Sequence, residues 1–212
     1  MMKMNEKIDT EKCCVVTYNT DLSETYWNNQ YNAQTTRWDL GEVSPPIKEY
    51  INQLENKNLR ILIPGCGNTY EAEYLLQQGF SDITIIDIAP TLVENLKLKF
   101  EGNKNINIIL GDFFKHEGKY DLILEQTFFC ALNPALRNAY VAKMKTLLIN
   151  NGKLAGVLFG VTFAAGGPPF GGSKCQYISL FENDFNFNIL ETCYNSFIKR
   201  KDSELFFICS IK

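Results

Sequence analysis

Two apolar runs joined through a glycine turn restrict the fold of this chain more than any other feature. Leu59-Arg60-Ile61-Leu62-Ile63 leads into Pro64-Gly65-Cys66-Gly67. About 20 residues past the glycines comes Ile83-Thr84-Ile85-Ile86-Asp87. The spacing predicts a buried strand, a turn, a helix and a second buried strand with Asp87 at its tip. Glycine is required in such a turn where backbone packs against a ligand and a Cβ would collide. An acid at the tip of the second strand can accept both hydroxyls of an adenosine ribose. Together they describe a pocket for an adenosine-bearing cofactor and leave open which one.

The same alternation continues downstream. Strands are predicted at 59–64, 83–88, 106–110, 120–125 and 153–160, nearly continuous apolar runs of the kind found when both faces of a parallel sheet are covered. Helical stretches fall at 69–78, 90–100 and 134–149, the last expected to end on Asn150-Asn151-Gly152 as a C-cap. Upstream, Tyr26, Trp27 and Tyr31 give 24–34 an aromatic helix face, and Ser44-Pro45-Pro46 opens an amphipathic helix to about residue 54. A helix near 173–182 and strands at 187–196 and 204–211 close the chain, joined by the charged turn Lys199-Arg200-Lys201-Asp202. The reading is one α/β domain over 1–212, Rossmann-like, with its ligand at the carboxyl ends of the first strands. Residues 1–20 lack periodicity and are expected to be mobile.

Composition removes several classes. The 212 residues suffice for one domain with a full core, and 45% apolar with 21% charged is ordinary for a soluble globule. A net charge of -3 gives no electrostatic footprint for nucleic acid. Residues 1–12 are polar and charged, so no secretory core is expected there. The longest apolar run, 154–165, is well short of the roughly 20 residues that span a bilayer. Seven cysteines without C-x-x-C spacing and a single histidine, His116, argue against zinc or any other metal site. Reduced thiols, including Cys13 and Cys14, fit a cytoplasmic chain. The expected state is a monomer acting on a small molecule.

Individual residues narrow the cofactor. The turn contains G-x-G, but Tyr70 stands where a dinucleotide site would want its third glycine, which weakens an NAD-linked oxidoreductase. No Tyr-x-x-x-Lys pair supplies a proton donor for one. Asp87 could instead cap the helix that begins near Pro90. Asp112, after the run 106–110, can accept from an exocyclic adenine amine while Phe113 packs on the ring. Phe128 and Phe129 are as readily core as pocket wall. Arg137 sits against the dipole preference in the first turn of a helix, as a residue placed for an anion or an ion pair would.

Trp27, Tyr31, Trp38-Asp39-Leu40-Gly41, Pro64-Gly65-Cys66-Gly67, Phe128-Phe129-Cys130-Ala131-Leu132 and Gly166-Gly167-Pro168-Pro169-Phe170 occur in that order. In these motifs the chain, over about 24–212, resembles the thiopurine S-methyltransferase family, nearest its halide/thiol methyltransferase ("harmless to ozone layer") branch. The resemblance implies a class I S-adenosylmethionine-dependent methyltransferase. Its fold would be a mostly parallel seven-stranded sheet with helices on both faces, a terminal antiparallel hairpin and a helical lid over 21–55. It further implies that Trp27, Tyr31 and Trp38 enclose the methionine part. Gly65 would contact its backbone, Asp87 the ribose, and Asp112 with Phe113 the adenine, with Gly67 also among the cofactor-binding residues. Gln126, Phe128 and Arg137 are the candidates for the acceptor pocket, and Gln126 is expected among the cofactor-binding residues as well. The family often has Asp-Tyr where this chain has Glu125-Gln126, so the acceptor wall departs from that pattern. Transfer to a thiol or halide needs alignment rather than a base, which agrees with a chain whose one histidine lies in a polar turn. A non-catalytic S-adenosylmethionine-binding protein is the remaining alternative.

Overall fold

Isoleucine and leucine at successive positions build the centre of the sheet. Strands β1 (Arg60–Pro64) and β2 (Asp82–Asp87) run parallel, with Ile61 opposite Ile83 and Ile63 opposite Ile85. Alternate side chains point to opposite faces. Leu62 and Ile86 join one buried cluster with Tyr140, Met144 and Phe181, while Ile61, Ile63, Ile83 and Ile85 join another with Ile51, Leu75 and Leu96. Neither face is left to water, which is why these strands are apolar throughout. The structure, a computed structural model, describes residues 21–164 and 166–212. The mobile segment expected at 1–20, with Cys13 and Cys14, lies outside the described residues.

Strands β3 (Ile106–Leu110), β4 (Tyr120–Gln126), β5 (Leu148–Phe159), β6 (Phe185–Thr192) and β7 (Glu204–Ile211) complete the sheet, ordered β3-β2-β1-β4-β5-β7-β6. The first five strands pair parallel, and β7 lies antiparallel between β5 and β6. The chain winds outward from β1 to β3, then returns to β4 on the other side of β1. That reversal opens a crevice at the carboxyl ends of β1 and β4. Helices α2 (Pro45–Asn52), α3 (Tyr70–Gln77) and α4 (Pro90–Lys99) cover one face; α5 (Arg137–Leu147) and α6 (Lys174–Phe181) cover the other. Among the described residues no helix is long and apolar enough to cross a membrane.

Helix α1 (Glu24–Asn32) buries no residue fully and is held from outside. Asn28 Oδ1 accepts from Thr91 N at 2.8 Å, and Thr91 Oγ1 donates to Asn32 Oδ1 at 2.9 Å. The N-cap of α4 is Ala89, which has no side-chain acceptor. Asn28 therefore caps α4 from a different helix and fixes α1 across it.

Two expected boundaries are corrected. The helix over 134–149 is a 3-10 turn, Pro134–Leu136, followed by α5, which stops at Leu147. Asn150-Asn151-Gly152 is not its cap: β5 already pairs Leu148 with Tyr120, then bulges before pairing resumes at Leu122 with Lys153. Asn151 takes a φ of 68°, which asparagine tolerates and most residues do not. A helix end and a bulge favour the same residues, so sequence alone does not separate them. The second correction concerns 199–202, which is no tight hairpin turn. β6 ends at Thr192, and residues 193–203 fold back with a 3-10 turn at Ile198–Arg200.

Candidate active site

A cavity of about 990 Å³ opens where β1, β2, β4 and β5 end. Its floor is the glycine turn. Gly65 and Gly67 have φ of +54° and +52°, and a Cβ built on Gly65 would lie 2.1 Å from the Phe128 ring. Gly67 N donates to Asp87 Oδ2 at 3.2 Å, and Ala89 N to Oδ1 at 3.0 Å. Asp87 is 9% exposed, and burial pushes its carboxyl up against the pull of those N–H donors. It thus both caps the following segment and lines the cavity, so capping does not remove it from the pocket. Asp112 and Phe113 follow at the end of β3; Asp112 Oδ1 accepts from Phe114 N at 2.9 Å, and both line the cavity.

An aromatic wall stands over this floor. Trp38 meets Trp27 and Tyr31 edge-on, with ring centroids 5.5 and 5.8 Å apart. Burial, with Asp87 nearby, holds the Tyr31 phenol protonated. Behind Trp38, Asp39 accepts from Gly41 N at 2.7 Å, from Tyr70 Oη at 3.2 Å and from Asn68 Nδ2. Tyr70, standing in for a third glycine, thereby ties the Trp-Asp-x-Gly segment to the glycine turn.

The end of β4 is organised by Glu125, which is fully buried. Its Oε1 accepts from Phe128 N at 2.8 Å and Phe129 N at 2.9 Å, and Oε2 from Tyr140 Oη at 2.7 Å. Burial pushes this carboxyl up to about 7. These bonds hold a turn in which Thr127 takes a φ of +62°, aiming Phe128 at Gly65 and Gln126 at the cavity. Ser44 Oγ donates to Gln126 Oε1 at 2.7 Å, which leaves Gln126 Nε2 buried without a partner. Thr69 Oγ1 is a second buried polar atom without one, on the same cavity. A glycine cradle, a buried acid at the second strand end, aromatic walls and two unanswered polar atoms fit a ligand that is part nucleoside, part amino acid.

Arg137 is the site candidate that the structure does not bring to this cavity. Its Nη2 donates to Gly171 O at 2.8 Å and its guanidinium packs 4.8 Å from the Phe129 ring, so it braces the loop behind the wall. A different, largely covered cation reaches the cavity instead. Arg200 lines the cavity, with Nη2 donating to Trp38 O at 2.7 Å and Nη1 3.4 Å from Glu204 Oε1. In sequence it belongs to a run of charges that reads as a solvated turn, and nothing local marks it. Glu71, also passed over, reads locally as an acid in a helix's first turn, yet it is 6% exposed and lines the cavity. The lone histidine lies elsewhere, its Nε2 2.7 Å from Tyr120 Oη.

The family described as Thiopurine S-methyltransferase (TPMT) matches residues 22–205. Probable thiol methyltransferase 2 of Arabidopsis thaliana is 33% identical over 156 residues, covering 71% of this chain and 69% of the relative. Thiocyanate methyltransferase 1 of Brassica oleracea is 25% identical over 158 residues, covering 70% and 68%. Among solved structures, the 1,6-didemethyltoxoflavin-N1-methyltransferase of Burkholderia thailandensis, with S-adenosylhomocysteine bound, shares the fold. Its TM-score is 0.74 at 14% identity, over 89% of this chain and 87% of that one.

Proposed function

The chain belongs to the thiopurine S-methyltransferase family, and on that premise we propose that it methylates a small, soft nucleophile, a thiol ahead of a halide. It is an S-adenosylmethionine-dependent methyltransferase with the class I fold. The observation that carries the acceptor assignment is the wall beside the ends of β4 and β5. There Arg200 packs over the Phe159 ring and donates to Trp38 O, Phe128 and Pro169 line the same cavity, and no imidazole does.

S-adenosylmethionine supplies a methyl group already electrophilic on a sulfonium, so the protein's task is alignment and exclusion of water. Gly65 and Gly67 leave room for the ligand's backbone-hugging part. Asp87 would accept the ribose hydroxyls, and Asp112 with Phe113 would hold the adenine. Trp27, Tyr31 and Trp38 would close over the methionine part as a lid formed from residues 21–55. On the acceptor side, the fixed charge of Arg200 favours an anion, and a thiol that binds as thiolate presents one without a protein base. Its loss of charge on methylation is favoured inside an aromatic, dry wall. Cys66, Cys130, Cys193 and Cys209 are buried free thiols, which suits a reducing compartment, and we assign the chain to the cytoplasm.

The test is the pH dependence of turnover with two thiols of different acidity. The rate should follow the thiolate fraction of each acceptor, so the two profiles are offset by the difference in thiol pKa. Profiles that coincide, tracking one ionisation of the protein, would overturn the base-free reading.

A further inference from the structure

We infer that Glu71 receives the α-ammonium group of the methyl donor's methionine end, an inference that rests on the donor assignment above. The carboxylate sits in the first turn of α3, one residue beyond Tyr70, and is 6% exposed. Most buried carboxylates are answered by a hydrogen bond or an ion pair, because an unanswered one is costly. Asp87 and Glu125 both follow that rule with backbone donors. Glu71 makes no side-chain hydrogen bond to another residue and no ion pair among the described residues, although it borders the cavity. Thr69, two residues before it, is 1% exposed and leaves its Oγ1 without a partner on the same wall. An acceptor-only group beside an unused hydroxyl asks for a donor carrying positive charge.

The charged groups around Glu71 do not supply that donor. Arg200, from the 3-10 turn before β7, lends a favourable field but is engaged by Trp38 O and Glu204. Asp39, from the loop after α1, and Cys66, in the glycine turn, add negative charge if anything. Burial outweighs both the bond from its own backbone N–H and the Arg200 field, and pushes Glu71 up to about 7. Without ligand the group is therefore half protonated near neutrality. An ammonium group held against it favours the ionised form, so donor binding should release a proton below pH 7. The nucleoside end of the ligand is already provided for at Asp87 and Asp112, and the sulfonium lies between the two ends. The amino-acid end is the part that brings an ammonium, and the floor at Thr69 and Glu71 is where the structure has an acid answered by no other residue, only by its own backbone N–H.

Calorimetry with two ligands separates this role from the rest of the site. S-adenosylhomocysteine carries the amino-acid end, and 5′-methylthioadenosine has the same nucleoside without it. Glu71→Gln, nearly isosteric, should weaken S-adenosylhomocysteine by about ten- to a hundredfold while 5′-methylthioadenosine changes less than about twofold. Retained nucleoside binding also shows that the variant is folded. In the unmutated protein, affinity for S-adenosylhomocysteine should fall relative to 5′-methylthioadenosine as pH drops below 7, and this differential should vanish in Glu71→Gln. Equal effects on both ligands, or none on either, would overturn the ammonium assignment while leaving the donor assignment standing. A slower turnover at unchanged S-adenosylhomocysteine affinity would also overturn it. Failure of the unmutated protein to bind either ligand would remove the donor assignment and this inference together.

Discussion

Asp87 accepts from the backbone N–H groups of Gly67 and Ala89 and lines the cavity. Asp87→Ala should leave the chain folded but remove a charge-assisted ribose contact, weakening S-adenosylhomocysteine by roughly 1.5–3 kcal/mol. Unchanged affinity by calorimetry would place the ribose elsewhere. The two arginines make a sharper contrast. Arg200→Gln should lower kcat/KM for anionic acceptors more than for neutral ones, because it removes the cation on the cavity wall. Arg137→Gln should lower thermal stability without changing that preference, since its guanidinium holds Gly171 O and the Phe129 ring. A selectivity change from Arg137 and none from Arg200 would reverse their roles. Asp87, Gly65 and Gly67 were legible from sequence because their chemistry is tied to a short motif at strand ends. Arg200, Glu71 and Ser44 were not, because each acquires its role from a partner far away in the chain, Trp38, the cavity and Gln126 respectively.

At the level of elements, α1 is the piece most easily moved. It buries no residue fully, and its hold on α4 runs through Thr91 to Asn28 and Asn32. Asn28→Ala removes the cap of α4 and one of the two bonds that latch α1, a change worth about 1 kcal/mol. The expected readout is weaker S-adenosylhomocysteine binding with little change in the main unfolding transition. Trp27 and Trp38 are the chain's two tryptophans and both lie on this wall, so intrinsic fluorescence should shift when S-adenosylhomocysteine saturates the site. An unchanged spectrum would contradict closure over the ligand. The strands and the helices α2, α3, α4 and α6 could be read from apolar periodicity and caps, since each buries a face. The end of α5 could not. Asn150-Asn151-Gly152 supplies the same left-handed propensity to a bulge as to a helix cap, and only the pairing of β4 with β5 decides between them. The connection at 193–203 was hidden for a related reason: one of its charges, Arg200, is folded against the cavity, while Lys199, Lys201 and Asp202 stay exposed.

The whole molecule carries a pH signature from its buried acids. Glu71 and Glu125 are both raised from 4.5 to about 7 by burial, and Asp87 is raised as well. A carboxyl whose folded pKa lies above its unfolded one contributes stability that is complete below about 4.5 and is lost as pH rises through about 7. The ligand-free protein should therefore show a melting temperature that declines from about pH 5 to pH 7, and Glu71→Gln should flatten part of that slope. A melting temperature rising across this window would mean that other groups dominate the linkage. Glu125→Gln keeps an acceptor for Phe128 N and Phe129 N and should be tolerated. Glu125→Ala leaves those donors and the Tyr140 hydroxyl buried and unpaired, costing roughly 3 kcal/mol. All of this framework serves one transfer, and the most direct measurement is where the methyl group goes. Purified protein is incubated with methyl-labelled S-adenosylmethionine and a panel of small thiols, halides, amines and phenols, and the products are separated. Label on sulfur, with S-adenosylhomocysteine formed in equal amount, is the predicted result. Label on nitrogen or oxygen with no thiol methylated would contradict it.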